Sequence, residues 1–336
     1  MTATPATSVT FEDLEARILR ALVANGFAEP LAVPIARTVA ACERDGTPSH
    51  GLLRLPGYVD AVRTGWADGM AYPATISRSA SMKVVDAMNG FTHYALDESR
   101  EDLKAMAAET GCAILLIRNA HHFAALWPDI EGFAREGFVA MSCVTSRARL
   151  TAWEGGGPVF GTNASAFACP RADGDPIVWD QAASLMSQGD LLLAAREGRK
   201  IPLDVGVDAK GQPTDDPNAI LQGGALNPFG GRKGASIAFM VEILAAGLTG
   251  GAFGYESPAK GTLPSKSGQF VMVIDPRRAG ADLGPRVEGL VDAVHAAGSP
   301  DLPGSRRYRR RAKSLTHGIA LSEDAKALLD RLAAGA

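Results

Sequence analysis

The chain has 336 residues, room for two domains or one large domain with additions, and for a substantial hydrophobic core. It is 46% hydrophobic and 21% charged with a formal net charge of −3, which gives no electrostatic reason to expect nucleic acid or a membrane surface as partner. The cysteines Cys42, Cys112, Cys143 and Cys169 show no CxxC spacing, which argues against a zinc ribbon and against a disulfide framework.

From the N-terminus, no basic stretch leads into an apolar run, so no signal peptide is read and a cytoplasmic location is the expectation. Residues 10–27 predict a helix, with Thr10 and Asp13 at capping-box spacing, Leu14, Ile18 and Leu22 on one face, and Asn25-Gly26 as the stop. A second helix is expected over 31–44. The segment 49–64 has helical spacing on both sides of Pro56, so the N-terminal part reads as all helical. Strand-like runs follow at 81–88, 112–118, 138–146, 176–180 and 269–275, with an amphipathic helix at 93–111. That alternation predicts an α/β layered domain. Cys112 and Cys143 fall in these apolar runs and read as core packing. The Gly/Pro-rich stretch 204–236 reads as a binding loop. Residues 235–254 carry Glu242 and are broken by glycines, which predicts a buried helix rather than a membrane span. Ser322 caps a short C-terminal helix.

Candidate chemistry gathers at a few places. His50 and Arg54 are four apart in a helical segment with Ser49 just ahead; Arg54 could clamp a carboxylate while His50 moves a proton. The same spacing also serves an ordinary surface pair. His121 and His122 follow the 112–118 run, where loops after strands carry function, but no third ligand at suitable spacing completes a zinc site, and no metal is expected. Asp190, after Gly189, could be a helix N-cap or an anion that orients a histidine. "NPFGGRKGAS" (227–236) has the glycines and the Arg232/Lys233 charge of a phosphate loop, yet neither a Walker A nor a GxGxxG fingerprint is present. Arg306, Arg307, Arg309, Arg310 and Arg311 suit a solvated face or a grip on the 2′-phosphate of NADPH.

"SHGLLRLPGYV" (49–59), "RNAHHFAALWPD" (118–129), "GTNASAFACPR" (161–171), "DQAAS" (180–184), "GQPTDDPNA" (211–219) and "PFGGRKG" (228–234) resemble, in order, the motifs of the malate/L-lactate dehydrogenase superfamily that lacks a Rossmann fold. Hydroxyacid dehydrogenase members usually read S-N-H-F-G where this chain has Ala120 to Ala124, and a basic residue where it has Asp190. Both departures resemble the branch of Δ1-piperideine-2-carboxylate/Δ1-pyrroline-2-carboxylate reductases, which reduce cyclic ketimines with NADPH.

The resemblance implies a layered, non-Rossmann NAD(P)-binding fold, with a helical part at 1–75 against which 312–336 packs, a cofactor domain at 76–311, and a homodimer. It implies His50 as proton donor, with Ser49 and Asp190 as charge-relay partners, and Arg54 and Thr162 as substrate holders. It places NADPH against His122, Phe123, Ala124, Ala125 and Leu126; Asp180, Gln181 and Ala182; Gly231 and Arg232; and Gly304, Ser305, Arg306, Arg307, Tyr308, Arg309 and Arg310. His121 receives no chemical task. The alternatives are a 2-hydroxyacid dehydrogenase of the same fold, a zinc hydrolase using His121 and His122, and a non-catalytic dinucleotide-binding module.

Overall fold

The structure, a computed structural model, describes residues 7–153, 157–258, 263–280 and 282–335. It opens with β1 (Thr7–Val9), α1 (Phe11–Val23) and α2 (Glu29–Arg44). The expected cap on α1 is present: the Thr10 hydroxyl accepts from Asp13 N at 3.1 Å. The next segment is not one helix. Two 3-10 turns, Pro48–His50 and Leu52–Arg54, meet at Gly51 before α3 (Leu55–Arg63) begins, with Pro56 in its first turn.

Strands β2 (Ala74–Arg78) and β3 (Met82–Asp86) lead to α4 (Thr92–Asp97) and α5 (Arg100–Thr110). The single helix expected at 93–111 is thus split at Glu98 and Ser99. Gly111 ends it in the left-handed conformation (φ 93°), where glycine carries no Cβ penalty. After β4 (Cys112–His122) come α6 (Trp127–Arg135), β5 (Val139–Val144), β6 (Leu150–Thr151), β7 (Pro158–Phe160), β8 (Ala164–Cys169) and β9 (Ile177–Gln181). The chain continues with α7 (Gln188–Arg196), β10 (Gly206–Val207), α8 (Pro217–Leu221), β11 (Ala225–Leu226) and α9 (Arg232–Glu242). It closes with β12 (Ser265–Ile274), α10 (Leu283–Ala296), α11 (Ser305–His317), β13 (Ile319–Leu321) and α12 (Glu323–Ala333). Helix α11 runs through the expected boundary at 311/312.

A seven-stranded sheet in the order β2-β3-β4-β12-β5-β8-β9 forms the centre, and a small sheet, β10-β11-β6-β7, stands apart from it. Only β3 and β4 run parallel within the large sheet. Leu115, Ile117, Val271 and Val273 point from its centre into a core with Leu103, Ile130 and Phe133. A second core joins Leu14, Ile18 and Leu22 of α1 to Ile319, Leu329 and Leu332, so the C-terminal end closes on the N-terminal helices. Strand β13 completes that closure by pairing with β1.

Residues 235–254 do not form a uniformly buried helix. Helix α9 passes into a π-turn at Ile243–Gly247, and Phe239, Met240 and Ile243 face outward, because only the side carrying Ala238, Val241 and Ala245 meets the fold. Among the described residues no helix is long and apolar enough to cross a membrane.

The arginine-rich helix α11 is clasped to the body by charge. Arg311 pairs with Asp45 at 2.6 Å and with Glu131 at 2.5 Å, both carboxylates nearly or wholly out of water. Arg311→Ala should therefore cost about 3 kcal/mol in urea unfolding, since it strands buried anions that Arg44 and Arg135 only partly cover. A loss below about 1 kcal/mol would mark the clasp as a surface-grade pair.

Candidate active site

A cleft of about 1000 Å³ opens between the 3-10 turns, the C-terminal end of β4, the first turn of α7 and helix α11. Ser49, His50, Arg54, Thr162 and Asp190 all line it. Gly51 between the turns leaves room for Glu43, whose carboxylate accepts from Leu52 N at 2.7 Å and fixes the bend. His50 and Arg54 meet the cleft through that bend rather than as neighbours on one α-helical face.

Arg54 is 5% exposed, its guanidinium lies 4.6 Å over the Phe123 ring, and its Nε has no hydrogen-bond partner. Burial lowers its pKa to about 10, against the opposing pull of Tyr58 and Asp190. A buried cation in this state is costly until an anion joins it. Gly189 presses against it from α7: a Cβ there would stand 2.6 Å from Arg54 Nη2 and 2.7 Å from the Ser49 carbonyl.

His50 Nδ1 and the Ser49 hydroxyl are 3.1 Å apart, which leaves Nε2 for a ligand. The ring's pKa is pushed down to about 3, first by burial and then by the charges of Arg54 and His122. The free protein therefore holds His50 neutral at physiological pH. Asp190 does not cap α7. Ser187 is the cap, because its hydroxyl reaches the Asp190 amide at 3.1 Å; that hydroxyl also donates to the Asp190 carboxylate at 2.8 Å. Among the described residues Asp190 makes no hydrogen bond to His50; its charge acts on Arg54. Thr162 is placed by its neighbours, its amide donating to Ser146 Oγ at 3.1 Å while Asn163 (φ 42°) donates to the buried Glu242 at 2.9 Å.

The lining also carries His122, Phe123, Ala124, Ala125, Asp180, Gln181, Ala182, Arg306, Arg307 and Arg310. Asp180 already accepts from Leu126 N (2.7 Å) and Trp127 N (3.0 Å), so it fixes the start of α6. The remaining expected cofactor residues do not line the cleft itself. Leu126 is fully buried in the core, and Arg309 pairs with Asp301 at 2.5 Å. Gly231, Arg232, Gly304, Ser305 and Tyr308 are not part of the lining. From 204–236 only Leu221 and Phe229 reach the cleft, the rest building the small sheet and α9. Conversely, Arg147, Arg149 and Arg196 line it without a motif to announce them; "TSRARL" reads as the polar end of a strand.

The paired histidines do not follow β4; they are its last two residues, because β12 pairs with the strand to the end, Lys266 opposite His121 and Ser265 opposite His122. Consecutive strand residues face opposite ways. His121 is fully buried beside Trp66 and Phe91, 3.2 Å from Asn89 Oδ1, whereas His122 turns to the cleft. The two therefore cannot close on one metal. Among the described residues, no three His, Cys, Asp or Glu side chains gather as a metal site.

The profile of the malate/L-lactate dehydrogenase family matches residues 9–330. The chain belongs to that family. Its fold is the layered, non-Rossmann type of the malate/L-lactate dehydrogenases. One curated member, a Δ1-pyrroline-2-carboxylate/Δ1-piperideine-2-carboxylate reductase of Pseudomonas syringae pv. tomato, is 46% identical over 98% of this chain and 96% of its own. The crystal structure of Δ1-piperideine-2-carboxylate reductase from the same organism superposes with a TM-score of 0.94 at 45% identity, covering 98% of this chain and 100% of that one. A (2R)-3-sulfolactate dehydrogenase (NADP(+)) of Chromohalobacter salexigens is 35% identical over 95% of this chain and 97% of its own.

Gly189→Ala tests the cleft's packing. The added methyl would displace α7 from Ser49 and Arg54, and kcat/KM should fall about 100-fold through misplacement, with a stability loss of only about 1–3 kcal/mol. Steady-state kinetics beside urea unfolding measure both; an unchanged kcat/KM would show that the contact does not set the site.

Proposed function

We propose that the chain reduces cyclic ketimines of the Δ1-pyrroline-2-carboxylate and Δ1-piperideine-2-carboxylate type to L-proline and L-pipecolate, with NADPH. The observation that carries this reading is Arg54: a buried guanidinium whose Nε has no hydrogen-bond partner and which no carboxylate among the described residues pairs, beside a neutral His50, in a chain 46% identical to a reductase of those substrates. A planar carboxylate is the anion that such a site lacks. Thr162 and Asp190 bound the same space.

Substrate binding changes the proton balance at His50. Arg54 is, after burial, the largest cause of the low His50 pKa. A carboxylate placed on Arg54 cancels much of that repulsion and adds attraction of its own, so His50 gains affinity for a proton as the substrate arrives. The imine nitrogen needs that proton while its neighbouring carbon is reduced, and His50 Nε2 is the nitrogen left free to give it. The nicotinamide cofactor, when bound, supplies the hydride. Phe123 supports Arg54 and forms wall with Ala124 and Ala125, while Arg306, Arg307 and Arg310 offer charge to phosphate.

The runner-up is a 2-hydroxyacid dehydrogenase, supported by the sulfolactate-oxidising relative and by the fact that His50 and Arg54 would serve a 2-oxo acid equally. Rates with both imines and with pyruvate and oxaloacetate, each with NADPH and NADH, decide between them. Faster turnover of the 2-oxo acids rejects the imine assignment. Arg306→Ala and Arg310→Ala should each weaken NADPH about tenfold more than NADH, while Arg309→Ala, already committed to Asp301, should leave the ratio unchanged. Equal losses for both cofactors would remove the arginines from 2′-phosphate recognition.

A further inference from the structure

Beneath the cofactor wall lies a buried polar network that the proposed reaction does not yet use. His122 Nε2 is 3.3 Å from Asp129 Oδ2, in the first turn of α6. The same oxygen accepts from Gln269 Nε2 at 2.7 Å, and Gln269 in turn donates to Ser142 Oγ at 3.0 Å. The His93 ring stacks on His122 with centroids 5.4 Å apart and planes 8° from parallel, and His93 Nε2 is 3.4 Å from the Tyr58 hydroxyl. Asp129 is 4% exposed, Gln269 fully buried and His93 4% exposed, yet His122 lines the cleft.

Burial works against a charge on Asp129. The His122 hydrogen bond, with the charges of His122, His93 and Arg100, outweighs it and holds the carboxyl below its ordinary range. An anion sunk this deep is poor value for stability, since an apolar side chain of similar size would cost less. Its geometry is suited to orientation instead. The strand register fixes the backbone of His122 but neither its ring rotation nor its tautomer; a carboxylate that accepts from Nε2 fixes both. His93 closes the other face by stacking.

We propose that Asp129 is the positioning residue for His122, committing Nε2 so that Nδ1 is the nitrogen presented to the cleft as a fixed hydrogen-bonding group for the cofactor. In the neutral ring this tautomer makes Nδ1 an acceptor, the partner that an amide N–H such as the nicotinamide carboxamide requires. Gln269 and Ser142 hold Asp129 in turn. This inference rests on the reading of the cleft wall as a nicotinamide cofactor site.

A double-mutant cycle tests it: Asp129→Asn, His122→Gln and both together, with NADPH affinity read by protein fluorescence without substrate, kcat and KM for the cyclic imine, and urea unfolding. Asp129→Asn should raise the NADPH Kd about tenfold, as lost outer-shell partners of a histidine do, and by less than about twofold in the His122→Gln background. The same fold-change in both backgrounds, or none in either, overturns the proposal, because a purely structural Asp129 would act without His122. If Asp129→Asn does not fold, Gln269→Met takes its place under the same criterion. Failure of the wild-type chain to bind either nicotinamide cofactor would reject the cofactor site and this inference together; tight wild-type binding with an additive cycle would reject the inference alone.

Discussion

The site depends on one uncompensated charge. Arg54 is held out of water by the 3-10 turns, laid on the Phe123 ring and backed by Gly189, and no carboxylate among the described residues completes it. Most of the surrounding architecture serves that arrangement. Glu43 fixes the bend at Gly51, the small glycine lets α7 approach, and Asp190 lends its negative charge while bound to Ser187. An unfilled cation of this kind is a strain that folding stability elsewhere must offset, here from two packed cores and the Arg311 clasp. In the proposed function, the substrate carboxylate would relieve it at binding.

The same charge couples binding to chemistry. With Arg54 bare, His50 is neutral; with Arg54 paired, its proton affinity rises. In the proposed function, one electrostatic contact would thus select for a carboxylate and ready the acid. The part of the lining that follows β4 is built on a different principle. β4 runs on to His122 because β12 stays paired with it to the end, and after the short connection 123–126 helix α6 starts, tied to β9 by Asp180. The wall is therefore the end of a strand and the four-residue connection 123–126 that leads into α6, both anchored by buried partners.

Much of this was legible in the residues. Hydrophobic periodicity placed α1, α2 and five of the seven central strands, because those segments bury one face and local preference agrees with tertiary packing; it missed β2 and β8. The His50/Arg54 pair was visible as a spacing, although Gly51 breaks the helix that the spacing implied. What stayed hidden is long-range. The extension of β4 depends on a partner strand some 150 residues away in sequence, which no local pattern reports. The pairing of Arg309 with Asp301 separates it from Arg306, Arg307 and Arg310, which line the cleft, and only three dimensions can sort such like-looking candidates. Arg147 and Arg149 reach the cleft from a short connection between sheets, and Asp129 and Gln269 lie more than a hundred positions apart. The paired histidines show this most plainly, one packed against Trp66 and Phe91 and the other facing the cleft.

The most direct test of the coupling is an NMR titration of the His50 ring, alone and with a cyclic carboxylate that cannot be reduced. The ring should still be neutral near pH 5 in the free protein, consistent with a pKa of about 3, and its apparent pKa should rise by at least about one unit when the carboxylate is bound. A His50 already protonated near pH 6 without ligand, or a pKa indifferent to the carboxylate, would contradict that coupling.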